Sequence, residues 1–206
     1  MKQTIAKCIS FCGHPLLTIP LFVTITMFAT EDVRKAALVT FLIVGCIFIP
    51  LFIWLYVKSK NGTTTNFDVS DRKQRKSLFV FILPLLMLVT IILYNTGQSK
   101  TVCLSVFFGL VITFVSQIIN LRIKSSLHVS MTIYLSFLII PLNYQLGIVV
   151  FILSGLIGWS RIVLGRHTLK EVLWGGGIGL TVGLIMLYTE QNICHYATKN
   201  TEEHKA

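Results

Sequence analysis

Charge is what this 206-residue chain has least of: Lys, Arg, Asp and Glu together make up 13% of it, and only 8 residues are acidic. Against 54% hydrophobic residues and a mean hydropathy of +0.77, so few polar groups cannot cover a water-soluble surface of this size. A soluble enzyme is excluded and an integral membrane protein is expected, as one domain over 1–206, because no stretch is long enough for a soluble domain outside the spans. The five cysteines (Cys8, Cys12, Cys46, Cys103, Cys194) form no CxxC pair and have no regular spacing. That argues against a disulfide framework or a zinc site and leaves them as small apolar residues. Repeats and low-complexity tracts are also missing. The shortage of carboxylates leaves a net charge of +10. In a membrane protein such an excess suits cytoplasmic loops, anionic head groups or an anionic substrate. Membrane lipids and an anionic lipid substrate are the partners expected, not nucleic acid.

Long apolar runs are abundant. A hydrocarbon core about 30 Å thick needs roughly 20 residues of apolar helix, and seven stretches qualify as candidates: 15–30, 36–58, 78–95, 101–120, 127–141, 146–163 and 171–189. The fifth and sixth are parted only by Asn143-Tyr144-Gln145 after Pro141, and a hairpin fits better than one overlong helix. The first carries Pro20 and has no clear small-residue cleavage site before Glu31, so it reads as a mature helix and not a cleaved signal. The fold class predicted is all-α, a polytopic bundle of about six to seven spans. The polar tail from Glu190 is expected to lack order at its end.

Three polar stretches interrupt the pattern: NFDVSDRKQRK (66–76), LRIKSSLH (121–128) and SRIVLGRHTLKE (160–171). They follow spans two, four and six, so parity puts them on one membrane face. Together they offer Arg72 and Arg75, then Lys124, Ser126 and His128, then Arg161, His167 and Glu171. Clustered cations with two histidines at a membrane surface suit a phosphate ester, since guanidinium forks match its oxygens and imidazoles titrate near neutrality. Glu171 follows His167 by four residues; were the stretch already helical, its carboxylate would hold one ring nitrogen and leave the other as a nucleophile. His128 would then protonate the leaving oxygen. Each stretch also has a plainer reading. The cations 72–76 make an ordinary positive-inside loop, Ser125 and Ser126 a helix cap, His14-Pro15 a helix start and Gly175-Gly176-Gly177 close helix packing.

SRIVLGRH followed by TLKE resembles the third signature of the type 2 phosphatidic acid phosphatase superfamily: serine-arginine, five residues, histidine, three residues, acid. Ser125-Ser126-Leu127-His128 is similar to the second, with Leu127 where the family has glycine. DRKQRK is what remains of the first, with Arg75 on its arginine, Lys76 on its proline and Asp68 on its lysine, and Arg72 nearby to compensate. The resemblance covers Asp68 to Glu171, about half of the chain. It implies a metal-independent lipid phosphatase on an all-helical core, with no cofactor. By the same resemblance His167 forms the phosphohistidine, Glu171 orients it where the family has aspartate, His128 is the general acid, and Arg75, Ser126 and Arg161 bind phosphate. Leu127 removes the backbone freedom of the family's glycine, so a catalytically degenerate member stays open as an alternative.

Two further alternatives come from the residues alone. One is a metal-dependent phosphotransferase using Asp68 and Asp71, set against the scarcity of other carboxylates in these loops. The other is a small transporter or lipid-binding protein with the basic cluster as its anion site, set against the absence of charge in mid-span. The membrane side is contested as well. Lys and Arg concentrate on the motif face, which the positive-inside rule places in the cytoplasm, whereas bacterial members of the resembled family commonly work on the outer face of the inner membrane.

Overall fold

Prolines, glycines and small polar residues punctuate the apolar text, and some of them, Gly13-His14-Pro15, Gly97, Asn143 and Gly165 among them, mark helix boundaries. The computed structural model describes residues 1–61, Val69 and 72–203; the side chains at positions 72, 73 and 194–203 lie outside the description. The described elements are α-helices and one π-helical segment. In chain order they are α1 (Lys2–Cys12), α2 (Pro15–Thr30), α3 (Val33–Thr40), the π segment (Phe41–Phe48), α4 (Ile49–Lys60), α5 (Arg72–Asn95), α6 (Lys100–Asn120), α7 (Leu127–Ile139), α8 (Tyr144–Val163) and α9 (Leu169–Glu203).

Local chemistry explains the boundaries. His14 caps α2, its Nδ1 accepting from the Leu16 amide at 3.1 Å, with Pro15 in the first turn where its missing N–H costs nothing. Asp32 caps α3, accepting from Arg34 and Lys35 amides, and Ser99 caps α6. Asn143 caps α8 at 2.9 Å and makes the turn of the expected α7–α8 hairpin. α3, the π segment and α4 run on as one rod, Val33–Lys60.

The chain is an all-α membrane protein. Five helices are long and apolar enough to cross a bilayer: Val33–Lys60, Gln74–Asn95, Lys100–Asn120, Tyr144–Val163 and Leu169–Ile193. A sixth is possible if α1 and α2, bent by 42° at Gly13-His14, count as one span. The sequence reading needs two corrections here. α1, which that reading passed over, extends the first candidate span towards the N-terminus. The fifth candidate contracts to α7, whose 13 residues rise only about 20 Å. Ten of those residues are buried, so α7 is an internal helix and not a lipid-facing one.

α7 owes its burial to α8 and α9, which pack along it. A Cβ at Gly175 would stand 2.5 Å from the Ser126 carbonyl oxygen, and one at Gly179 2.6 Å from that of Ser130. Only glycine lets α9 approach α7 this closely. The packing reading of the Gly175-Gly176-Gly177 run therefore holds for Gly175, but the stripe continues at Gly179, while Gly177 faces open space. α9 runs well past Glu190, to Glu203, and residues 204–206, where a disordered end was expected, lie outside the described residues. Cys8, Cys12, Cys46 and Cys103 are free thiols, as their spacing suggested.

Candidate functional site

The segment around His167 is set by two helix ends meeting. α8 finishes in a Schellman turn: the Gly165 amide donates to the Ile162 carbonyl at 2.9 Å, and the Arg166 amide to the Arg161 carbonyl at 3.0 Å. Gly165 takes φ +65°, the left-handed region such a turn requires and glycine tolerates. The His167 amide also reaches the Arg161 carbonyl, at 3.2 Å. One residue later α9 opens with a capping box. The Glu171 amide donates to Thr168 Oγ1 at 3.3 Å, and the Thr168 amide donates to Glu171 Oε2 at 3.2 Å. The spacing from Arg161 through His167 to Glu171 is therefore one C-cap followed at once by one N-cap.

His167 stands between these caps, outside both helices. Its Nδ1 is 2.9 Å from Glu171 Oε2, so the contact is made across the start of α9 and not along a helix face, as an i,i+4 pair would make it. Its Nε2 is 3.1 Å from Arg75 Nη2. A guanidinium has only donors, so Nε2 must accept; the ring proton is then on Nδ1, donated to Glu171. Burial first, and then the positive charges of Arg75, Lys124, Arg161 and Arg166, push the His167 pKa down to about 2. The ring is a neutral imidazole with its lone pair at Nε2.

Arg75 enters from the N-terminal end of α5 and is almost wholly buried. Its Nη1 donates to the Ser125 carbonyl at 2.5 Å and its Nε to the Val69 carbonyl at 3.1 Å. Val69 is buried with φ +47°, an uncommon conformation for a β-branched residue and a strain of order 1–3 kcal/mol. It turns the carbonyl towards the arginine. Ser126 precedes α7; its amide donates to the Glu171 carbonyl at 3.0 Å, and its buried Oγ has no hydrogen-bond partner among the described residues. The first turn of α7 adds backbone N–H groups that have no partner inside their own helix.

The structure thus brings Arg75, Ser126, His167 and Glu171 together from three distant stretches of sequence, on one face because the short α7 and α8 form a hairpin that returns the chain to the site. Arg161 is fully buried; its carbonyl holds the His167 loop and its Nη1 donates to Ser10 Oγ at 2.8 Å. Lys124 lies on the Glu171 side: its Nζ donates to the Arg166 carbonyl at 2.6 Å and is 3.9 Å from Glu171 Oε2. His128 is buried at the start of α7, its ring edge-on to that of His14 with centroids 4.6 Å apart. The side chain of Arg72 lies outside the described residues, as do Asp68 and Asp71. Among the described residues no three His, Cys, Asp or Glu side chains cluster as metal ligands.

Sequence reasoning missed Ser10, His14 as a neighbour of His128, and the Val69 carbonyl. His14-Pro15 signalled only a helix start, and nothing local to Ser10 could have revealed a partner 151 residues away. Below the site, a cavity of about 550 Å³ lies between the helices, partly open to the surroundings, with Arg75, His14 and His128 on its wall. Compared with protein-family models, with curated proteins and with solved structures, the chain matches none.

Proposed function

We propose that the protein is a membrane phosphatase that hydrolyses a phosphate monoester or pyrophosphate on a lipid through a phosphohistidine at Nε2 of His167, as its resemblance to the type 2 phosphatidic acid phosphatase superfamily implies. The observation that carries this reading is the His167 ring, with Nδ1 fixed on Glu171 and the Nε2 lone pair facing the guanidinium of Arg75. A neutral imidazole held in one tautomer is a nucleophile, and a buried guanidinium beside its lone pair is where a phosphoryl oxygen would be received. Around it, Arg75, Arg161 and Lys124 face a single described carboxylate, Glu171, so the site favours an anion.

In the proposed reaction the phosphoryl oxygens take over the Arg75 Nη2 hydrogen bond, with Arg161 and Ser126 Oγ as further donors. Nε2 attacks phosphorus and the bond to the lipid oxygen breaks. The imidazolium that forms is stabilised by Glu171, which accepts from Nδ1 throughout. His128, protonated beside the phosphate dianion, delivers its proton to the departing oxygen. A water then attacks phosphorus, gives its proton to His128, and the P–N bond breaks to restore His167. Lys124 steadies Glu171 and the Arg166 carbonyl and adds positive charge for the phosphate. The membrane proposed is the bacterial inner membrane.

Turnover of a lipid phosphate and of an aryl phosphate by purified protein in excess EDTA tests this. Both should persist, and an acid-labile, alkali-stable phosphoenzyme should be trapped. His167→Ala should abolish turnover and phosphoenzyme alike. His128→Ala should slow the lipid phosphate by about 10²–10⁴-fold and the aryl phosphate, whose leaving group needs no proton, far less. Substantial turnover by His167→Ala, or loss of wild-type turnover in EDTA, would overturn the phosphohistidine reading; the latter would favour a metal-dependent enzyme.

A further inference from the structure

α2 is the one long apolar helix in which no residue is buried, yet it has an inner side. Leu16, Ile19, Val23, Met27 and Thr30, at helical spacing, face the cavity beneath the site. α2 packs mainly on α3, the π segment and α7, and the space between it and α5 and α6 is that cavity. Its wall is apolar over most of its length, with Leu78, Ile82 and Leu86 from α5, and Val102, Val106 and Thr113 from α6. One end carries Arg75, His14 and His128, and the other Glu31, Ser99 and Glu190. From Leu16 to Thr30 the α2 wall rises about 21 Å, the reach of roughly sixteen carbon–carbon bonds in an extended chain. Halfway along α6 stands Gly109, also on the wall; a Cβ there would meet no atom within 4 Å, so the void begins at the α6 backbone.

We infer that this cavity is a binding site for one hydrocarbon chain of the substrate, threaded into the bundle with its phosphate at Arg75 and His167, and that its depth sets a preferred chain length of about sixteen carbons. The inference rests on the phosphatase reading for the phosphate end alone. Charge complementarity fixes the direction: an anionic head is favoured at the Arg75 end and disfavoured at the Glu31 and Glu190 end. The carboxylates and hydroxyls at the far end also make it a poor place for further methylenes, since burying hydrocarbon against them leaves polar groups desolvated.

The test uses the full-length protein, straight-chain alkyl phosphates from 4 to 18 carbons and a soluble aryl phosphate. For the wild type, kcat/KM should rise with chain length and stop rising near sixteen carbons. Gly109→Trp fills the middle of the cavity and should move that break to about half the length, while turnover of the aryl phosphate stays within about twofold. Gly109→Leu should shift it less. A break that stays in place in both variants, or no break at all, overturns the inference while leaving the phosphatase reading intact. An alkyl phosphonate of sixteen carbons with a photoreactive terminal group separates the two in the other direction, because it needs binding without turnover. It should label α2 and α6 near Met27 and Val102, and Gly109→Trp should abolish that labelling. Labelling of lipid-facing residues alone would overturn the inference, and absence of aryl phosphate turnover with cavity labelling intact would overturn the phosphatase reading alone.

Discussion

α2 and α7 are both apolar all round, neither has a charged residue, and nothing in their composition ranks one above the other as a buried helix. Yet ten of the 13 residues of α7 are buried and none of the 16 of α2. In water such helices would compete to be inside; in a bilayer lipid tails are as apolar as leucine, so hydrophobicity does not choose between them. What chooses is whether a neighbour can come close. α9 offers α7 the glycines 175 and 179, against which the Ser126 and Ser130 carbonyls rest. α2 meets no such stripe and stands off across the cavity. The tight side of the bundle carries the site, and the loose side leaves room.

If that contrast is right, substitutions on the two sides should differ in size. The largest effect expected is at the point where the tight side meets phosphate. Arg75→Lys keeps the charge but loses the fork that spans Ser125 and His167, and should lower turnover about 10²–10³-fold with little change in KM for the aryl ester. Wild-type rates would place the phosphate elsewhere.

Next is the glycine stripe. Gly179→Leu drives a side chain into the Ser130 carbonyl and should cost about 1–3 kcal/mol or more in detergent-solubilised unfolding. Gly177→Leu, two residues earlier and facing open space, should cost nothing and gain up to about 1 kcal/mol from helix propensity. Equal effects at the two positions would remove the basis of the comparison.

The capping box separates stability from chemistry within one motif. Thr168→Ala should destabilise by about 1 kcal/mol, whereas Glu171→Gln keeps an N3 acceptor and most of the stability but leaves the His167 ring poorly held, with weak turnover. Acidification probes the same ring. The folded pKa of His167 lies near 2, below the unfolded value of about 6.5, so the folded state binds fewer protons between these values. The contribution is complete above pH 6.5 and is lost as the pH falls towards 2, by at most about 1.4 kcal/mol per pH unit. His167→Asn should lack that limb when its unfolding is followed against pH. Smallest of all, Leu21→Ala on the outer face of α2 should change stability by less than about 0.5 kcal/mol.

How legible the site was in sequence depended on how local each contact is. The segment Ser160–Glu171 could be read directly, because a Schellman turn and a capping box are complete within twelve residues and place His167 and Glu171 with no help from the rest of the chain. Arg75 and Ser126 followed from parity, which needs only a count of the spans between them, although the count itself was imperfect. The contacts of Lys124 with the Arg166 carbonyl and Glu171 were not legible, since the turn after α6 decides which groups its side chain meets. Ser10 and His14 were invisible for a different reason: their partners, Arg161 and His128, lie more than 110 residues away, and no periodicity in α1 points to them.

By itself the sequence determined that the chain would live in a membrane as helices, because the bilayer leaves an apolar backbone no other way to satisfy its hydrogen bonds within each segment. It also determined that three polar stretches would share one face, and which residues would make the His167 turn. Tertiary structure alone decided that α7 is a short inner helix, that α1 packs on α8 so that Ser10 meets Arg161, and that α2 stands away from α5 and α6. Those outcomes depend on shape at contacts between helices, where a missing Cβ counts for more than hydropathy, and shape of that kind is not written in any one segment.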